Sequence, residues 1–296
     1  MPELPDVTVY VERLRAYLKK QPLQRVRLRS AFVLRSVSPP LSELHGLYVL
    51  DVSRIGKRIV LHFENDLYLV IHLMIAGRLR WRKPDAPVPK GNGLAALDFP
   101  EGALMFTEAA KKKRASMYVV LGEQQLAQFE RGGLDVLSAT ESAFKDALSE
   151  QNHTLKRALT DPRVVNGIGN AYSDEILFAA RLSPFKQTQH IDDAEWSRLY
   201  AATRATLTDW IERRRREVGD GFPDKVTAFH PQMAVHGRFK QPCRDCGKPI
   251  QRIVFAENES NYCANCQTAG RLLADRSLSR LLKANWPKTL DELEAL

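Results

Sequence analysis

Cysteine is scarce and confined: four occur in 296 residues, all between positions 243 and 266. Long apolar runs are missing as well. The longest, LYLVIHLMIAG, is broken by His72 and is only strand-length on either side. A membrane helix needs about 20 consecutive apolar residues, so no span is expected. No basic N-terminal stretch leads into an apolar segment, so a signal peptide is not expected either. The expected location is the cytoplasm, nucleoid-associated in a bacterium, or another intracellular compartment. Internal repeats and low-complexity tracts are absent. Acidic residues are in deficit, 35 against 44 lysines and arginines, for a formal charge of +9. That balance suits a polyanion, nucleic acid being the commonest, although a merely basic protein would look the same. A hydrophobic content of 44% is ordinary for a folded chain, and the length allows two or three domains.

What is present changes character along the chain. Apolar residues at Val7, Tyr10, Val11, Leu14 and Leu18 follow helical spacing behind Pro5-Asp6. From Gln24 to Gly122 the pattern turns to short β-rich runs: RVRLRSAFVL, LYVLDVS, KRIVLHF, LYLVIHL, GLAALDF, ALMFTE and SMYVVL. Glu64-Asn65-Asp66 and Pro100-Glu101-Gly102 are tight connections suited to hairpins. Helical periodicity takes over from Glu141 to Glu217, with capping candidates at Thr140, Thr160 and Asp192. Within it, ERRRRE (Glu212 to Glu217) reads as a solvated helix end or a phosphate clamp. The tail after Gly270 reads as two short helices, with Thr289 and Glu292 as a capping box for the second. The expected class is α+β. Its parts are an N-terminal helix with an antiparallel β-sandwich (1–131), a linker (132–139), a helical domain (140–240), a cysteine segment (241–270) and a helical tail (271–296).

Two motifs carry chemistry. Cys243-Arg-Asp-Cys246 and Cys263-Ala-Asn-Cys266 are CxxC pairs separated by 16 residues, long enough for a β-hairpin that brings them together. Four thiolates suit one tetrahedral zinc with no open position, so this metal holds a fold and does not activate water. Two disulfides are the alternative, which an intracellular setting disfavours. The second motif, DPRVVNGIGNAYSDEILFAARLSP, puts a Gly167-Ile168-Gly169-Asn170 turn directly before an amphipathic helix. Backbone N–H groups at such a helix start can bind a phosphate, with Asn170 able to cap the helix. An ordinary tight turn between helices has the same sequence features.

Together these segments resemble the formamidopyrimidine-DNA glycosylase and endonuclease VIII family. The resemblance covers residues 1 to about 268 and rests on MPELPDV, IGKRIVLHF, VIHLMIAGRL, VVNGIGNAYSDEILF, VHGRFKQPCRDCGKPI and NYCANCQ. It implies a helix–two-turns–helix domain and excision of a damaged base followed by cleavage of the abasic sugar, with damaged DNA as partner and a monomeric protein. Removal of Met1 would leave Pro2 as a free secondary amine, the nucleophile of an iminium mechanism. Glu3 would move protons, and Lys57 would contact the phosphate beside the lesion. Gly169 and Asn170 match the phosphate-binding helix loop, and Arg163 stands where the family has a lysine.

The chain also departs from the family. The position that normally carries the zinc hairpin's phosphate-gripping arginine is Asn258, in the tip AENES. In place of an Arg-Phe wedge after a TDPRR-like stretch stands TEAAKKKRASMY, whose Lys111, Lys112, Lys113 and Arg114 could hold phosphates but include no aromatic. A third void-filling position falls on Ile75. These departures leave three alternatives to a full glycosylase–lyase: a non-catalytic binder of damaged or abasic DNA, a lyase limited to abasic or bulky lesions, or, more distantly, a zinc-ribbon protein–protein adaptor. The tail is expected to cap the ribbon or to meet a protein partner.

Overall fold

The computed structural model describes residues 1–225, 230–255, 258–274, 281 and 287–294, without the side chains of Phe255, Asn258 and Glu294. Two units emerge, one of residues 1–131 with 210–228 and one of 132–209 with 229–296. The sequence division placed 210–228 in the helical domain. They join the first unit because Phe222 packs on Tyr10 and Tyr17, at ring separations of 5.9 and 5.7 Å, and Arg214 lies 3.6 Å from Asp6.

In the first unit, helix α1 (Leu4–Leu18) begins with a capping box between Glu3 and Asp6 and has Pro5 in its first turn, where a missing N–H costs nothing. Its apolar stripe, Val7, Tyr10, Val11, Leu14 and Leu18, is fully or almost fully buried, as the spacing required. Two antiparallel four-stranded sheets form the sandwich. One has the order β1-β6-β7-β5, made of Arg25–Leu28, Gly93–Phe99, Gly102–Glu108 and Gly77–Arg82. The other has the order β2-β3-β4-β8, made of Val49–Ile55, Arg58–Phe63, Leu67–His72 and Ser116–Leu121. Both expected hairpins form: Asn65 and Asp66 adopt φ of 58° and 53° between β3 and β4, and Phe99 pairs Gly102 between β6 and β7. The expected strand RVRLRSAFVL is shorter than its sequence suggested, since Ala31–Val33 form a 3-10 turn. Strand β5, GRLRWR, is an addition to the sequence reading. Its alternating arginines hide a period-two pattern in which Leu79 is buried. A short helix α2 (Gly122–Ala127) follows β8.

The second unit holds helices α3 (Glu141–Ser149), α4 (Leu155–Thr160) and α5 (Asn170–Ala179), and helix α6 (Asp193–Val218) passes from it into the first. Thr140 caps α3 through Ala143 N–H at 3.2 Å, and Asp192 caps α6 through Glu195 N–H at 2.8 Å, both as expected. Thr160 is not a cap. It ends α4 and donates its hydroxyl to Lys156 O at 2.8 Å, while Thr154 caps that helix. The cysteine segment forms the expected hairpin, β9 (Gln251–Phe255) with β10 (Asn258–Tyr262), followed by helix α7 (Ala264–Thr268). The first expected tail helix falls mostly outside the described residues. The second is present as Leu290–Glu294, with Thr289 Oγ1 accepting from Glu292 N–H at 3.2 Å.

Candidate functional site

In the first unit the expected catalytic residues gather at the chain's start. Pro2 is buried and Glu3, the α1 N-cap residue, is 3% exposed. Lys57 sits with left-handed Gly56 in the two-residue turn that joins β2 to β3, where Ile55 pairs Arg58. Burial pushes the Met1 amine below its ordinary value of 8.0, and the charges of Arg78 and Lys57 push the same way against Glu3 and Asp6. The terminal amine therefore lies within electrostatic reach of both Glu3 and Lys57.

Beside them is a cationic group that sequence reasoning did not single out. His72, the last residue of β4, pairs Arg58 across the strands, and burial with the charges of Arg58, Lys57 and Arg131 pushes it down to about 4. Arg58 donates to Phe129 O at 3.2 Å and lies 5.7 Å from the Phe129 ring centre. The available signal was His72 itself, an ionisable side chain interrupting an otherwise apolar strand.

Two loops meet near the start of β5. Ile75 stands 52% exposed behind Met74, whose φ is 52°, and Ala109 N–H donates to Ala76 O at 3.4 Å. Gly77 follows because any Cβ there would lie 2.1 Å from Leu73 O. The Ala109–Ala115 loop carries Lys111, Lys112 and Lys113 at the surface and Arg114 half-buried. It closes on Glu108, which the motif reading also missed.

The ERRRRE segment lies at the end of α6 with Glu212, Arg215, Arg216 and Glu217 exposed, as expected of a solvated helix end, and two of its arginines are also paired within the fold. Arg214 is 5% exposed and spans Asp6, Glu217 at 2.6 Å and Lys225 O at 2.6 Å. Arg215 bonds Glu12 and Glu212, and Arg213 lies 4.7 Å from the Trp210 ring centre. Arg214 and Arg215 thus find their partners within their own unit.

In the second unit the glycine loop enters α5 as expected, with Gly167 at φ 85°, a backbone that side chains resist. The cap residue is Gly169 rather than Asn170, which is the first residue of the helix. Arg163 is exposed and pairs with Asp161, with Nη2 to Oδ2 at 2.6 Å and Nε to Oδ1 at 3.0 Å, and this pairing pushes the Asp161 carboxyl down to about 2. Lys156 Nζ donates to Asn170 O at 2.8 Å and to buried Asp174 at 2.6 Å. Asp174 also meets His236 Nδ1 at 2.8 Å and, on β10, Ser260 Oγ at 3.2 Å and Asn261 Nδ2 at 3.3 Å. Asn258 begins β10 opposite Phe255, and its side chain lies outside the described residues.

The four cysteines converge, with all Sγ atoms within 4.8 Å of one another. Cys243 and Cys266 are 3.9 Å apart and Cys246 and Cys263 3.4 Å, which are non-bonded thiol distances. Tetrahedral zinc with Zn–S near 2.3 Å requires sulfurs roughly 3.8 Å apart. The donor set fits one structural zinc ion.

Family comparisons agree with this geometry. Residues 1–114 match the formamidopyrimidine-DNA glycosylase N-terminal domain, 134–220 its H2TH domain and 240–269 a zinc finger found in FPG and IleRS. The chain is 32% identical over 277 residues to a formamidopyrimidine-DNA glycosylase of Thermus thermophilus, covering 91% of this chain and 100% of that protein. The crystal structure of the MutM (Fpg) protein from Thermus thermophilus superposes with a TM-score of 0.76 at 30% identity, covering 90% and 98% of the two chains. The Lactococcus lactis Fpg complexed with DNA containing an abasic site has a TM-score of 0.79 over 90% of this chain and 99% of that one, and at 23% identity it speaks to the fold. The chain belongs to the formamidopyrimidine-DNA glycosylase family, zinc-ribbon enzymes of DNA repair. Its tail beyond residue 269 lies outside the matched domains.

Proposed function

We infer that this protein performs base excision on damaged DNA as a glycosylase and then cleaves the abasic strand as a lyase, using Pro2 as its nucleophile. The observation that carries the reading is the buried terminal amine set beside Glu3 and Lys57. Removal of Met1 makes Pro2 the terminal amine. An α-amine titrates near 8 and a lysine near 10.4, so its free-base fraction at neutral pH exceeds a lysine's by roughly a few hundredfold.

The secondary amine attacks C1′ as the base departs, and opening of the sugar leaves an iminium ion. That electron sink acidifies the C2′ proton, whose loss expels the 3′ phosphate by β-elimination, with δ-elimination releasing the 5′ phosphate in turn. Glu3 protonates the opened sugar and relays protons. Lys57 and the cationic group around His72 hold the adjoining phosphates, and Gly169 and Asn170 hold another at the start of α5. Zinc keeps the ribbon folded. The protein acts as an intracellular monomer on DNA.

Borohydride trapping tests this reading. Methionine-processed protein should crosslink to abasic-site DNA in borohydride, whereas a Met1-retaining form, in which Pro2 is an amide, should not. A Pro2→Gly variant, with a primary amine, should trap more weakly. Intact DNA binding without any crosslink would support the second reading, a non-catalytic damage binder. That reading draws on the absence of an aromatic from the Ala109–Ala115 loop. Glu3→Gln should lower turnover by about 10²–10⁴-fold while DNA affinity holds, since general acid–base groups contribute on that scale. Unchanged turnover would remove Glu3 from the mechanism.

A further inference from the structure

Four consecutive cations would repel one another and leave the segment after β7 with no preferred course. Glu108, the last residue of β7 and 1% exposed, sets that course. Its carboxylate accepts Arg114 N–H at 3.1 and 3.0 Å and Ala115 N–H at 3.1 Å. Its own N–H donates to Asn92 O at 2.8 Å, and its carbonyl accepts from the Lys113 ammonium. One residue thus joins both ends of the seven-residue Ala109–Ala115 loop and holds the Lys113 ammonium, while Lys111, Lys112 and Lys113 all remain exposed.

Loop closure by a glutamate could serve folding alone, but two features point further. A buried carboxylate in a loop that bears four cations offsets their mutual repulsion, which lets the cluster exist in one arrangement. The Ala109 N–H bond to Ala76 O also places this loop against the turn that presents exposed Ile75. We propose that Glu108 is a positioning residue for DNA: it closes the Ala109–Ala115 loop so that Lys111 and Lys112 stand together as a contact for the phosphate backbone. The inference rests on the reading of this protein as DNA-binding.

Glu108→Gln is the informative change. The amide keeps the size of the side chain but loses the charge and turns an N–H toward backbone N–H donors. Binding to a duplex carrying a tetrahydrofuran abasic-site analogue is followed by fluorescence anisotropy from 50 to about 300 mM salt, where each released phosphate counterion contributes about 0.9 to the slope of log K against log salt. Lys111→Gln/Lys112→Gln should weaken binding about tenfold at low salt and flatten the slope by about 2. Glu108→Gln should weaken it about fivefold and flatten the slope by about 1. Placed on top of Lys111→Gln/Lys112→Gln, it should change affinity by less than about twofold, because a residue acting through those lysines has nothing left to act on.

If Glu108→Gln does not fold, Glu108→Asp, which keeps the charge on a shorter arm, is read in the same cycle with the same expectation in smaller measure. An unchanged affinity and slope for either variant, or an effect that adds in full to the double lysine change, would overturn the proposal. A double lysine variant that binds like the parent would overturn it too. If the parent itself fails to bind this DNA, the fault lies with the DNA-binding reading.

Discussion

His72 shows how one side chain reports on its surroundings. Its folded value, about 4, lies below the ordinary 6.5, because burial and the charges of Arg58, Lys57 and Arg131 all penalise the imidazolium. Between those values the unfolded chain holds the proton more tightly, so stability is fully present above pH 6.5 and falls as pH drops toward 4. At one unit per ~1.4 kcal/mol, the loss approaches about 3 kcal/mol. Urea melts from pH 4.5 to 7.5 should show a His72→Asn variant with a visibly flatter profile than the parent, and equal profiles would refute the assignment. A phosphate beside the ring would favour the charged form, so DNA binding near pH 5.5 should take up a proton, which calorimetry in buffers of different ionisation enthalpy can count. The sequence displayed this residue as a break in an apolar strand. The neighbours that set its charge come from a cross-strand pairing that no local pattern reveals.

At the scale of elements, the second unit depends on carboxylates buried in α5. Glu175 accepts backbone N–H groups from Ala234, Val235 and His236, the latter two at 2.9 Å, so it ties the segment leading to the zinc ribbon onto the helix. Burial pushes its carboxyl up against those three donors, which favour the charged form. Glu175→Ala leaves three amides without an acceptor and should cost about 2–4 kcal/mol, measured by calorimetric melting of the zinc-loaded protein. A loss under about 0.5 kcal/mol would mean that water replaces the carboxylate. Element existence was mostly legible: seven β-rich runs, the α1 stripe and three helix caps were readable from period and capping chemistry. The errors have physical causes. Arginines at alternate positions masked β5, and Thr160 looked like a cap because a cap and an i−4 back-bond use the same hydroxyl.

For the whole molecule, the ribbon and tail are the parts most open to test. Ile253, Tyr262, Ala264, Leu272 and Leu290 form one buried cluster, Leu272 N–H donates to Lys288 O at 2.8 Å and Leu273 N–H to the Tyr262 hydroxyl at 2.8 Å. The described parts of the tail around Leu272 and Leu290 therefore pack on the hairpin, the capping alternative of the two expected, while Leu281 is exposed. Ending the chain after Gly270 should speed zinc loss to a chromophoric chelator by about tenfold, since the cluster's apolar face opens to water beside Cys263. An unchanged rate would leave the tail with no part in holding the metal. Full zinc removal should abolish hydrogen-exchange protection of β9 and β10 while β3 and β4 stay protected.

The sequence by itself determined the family, the α+β class, the four-cysteine zinc site and the Pro-Glu start. These depend on short-range spacing: two residues between paired cysteines, a period of two along one strand face, three or four along one helix face. The tertiary structure decided which charges are available. Arg214 and Arg215 are neighbours in one charged run, yet Arg214 reaches Asp6 and Arg215 reaches Glu12, both near the opposite end of the sequence. Lys111, Lys112 and Lys113 remain at the surface. Spacing along a chain fixes which groups share an element, but the partner of a charge is set by Coulomb attraction between elements that only folding brings together.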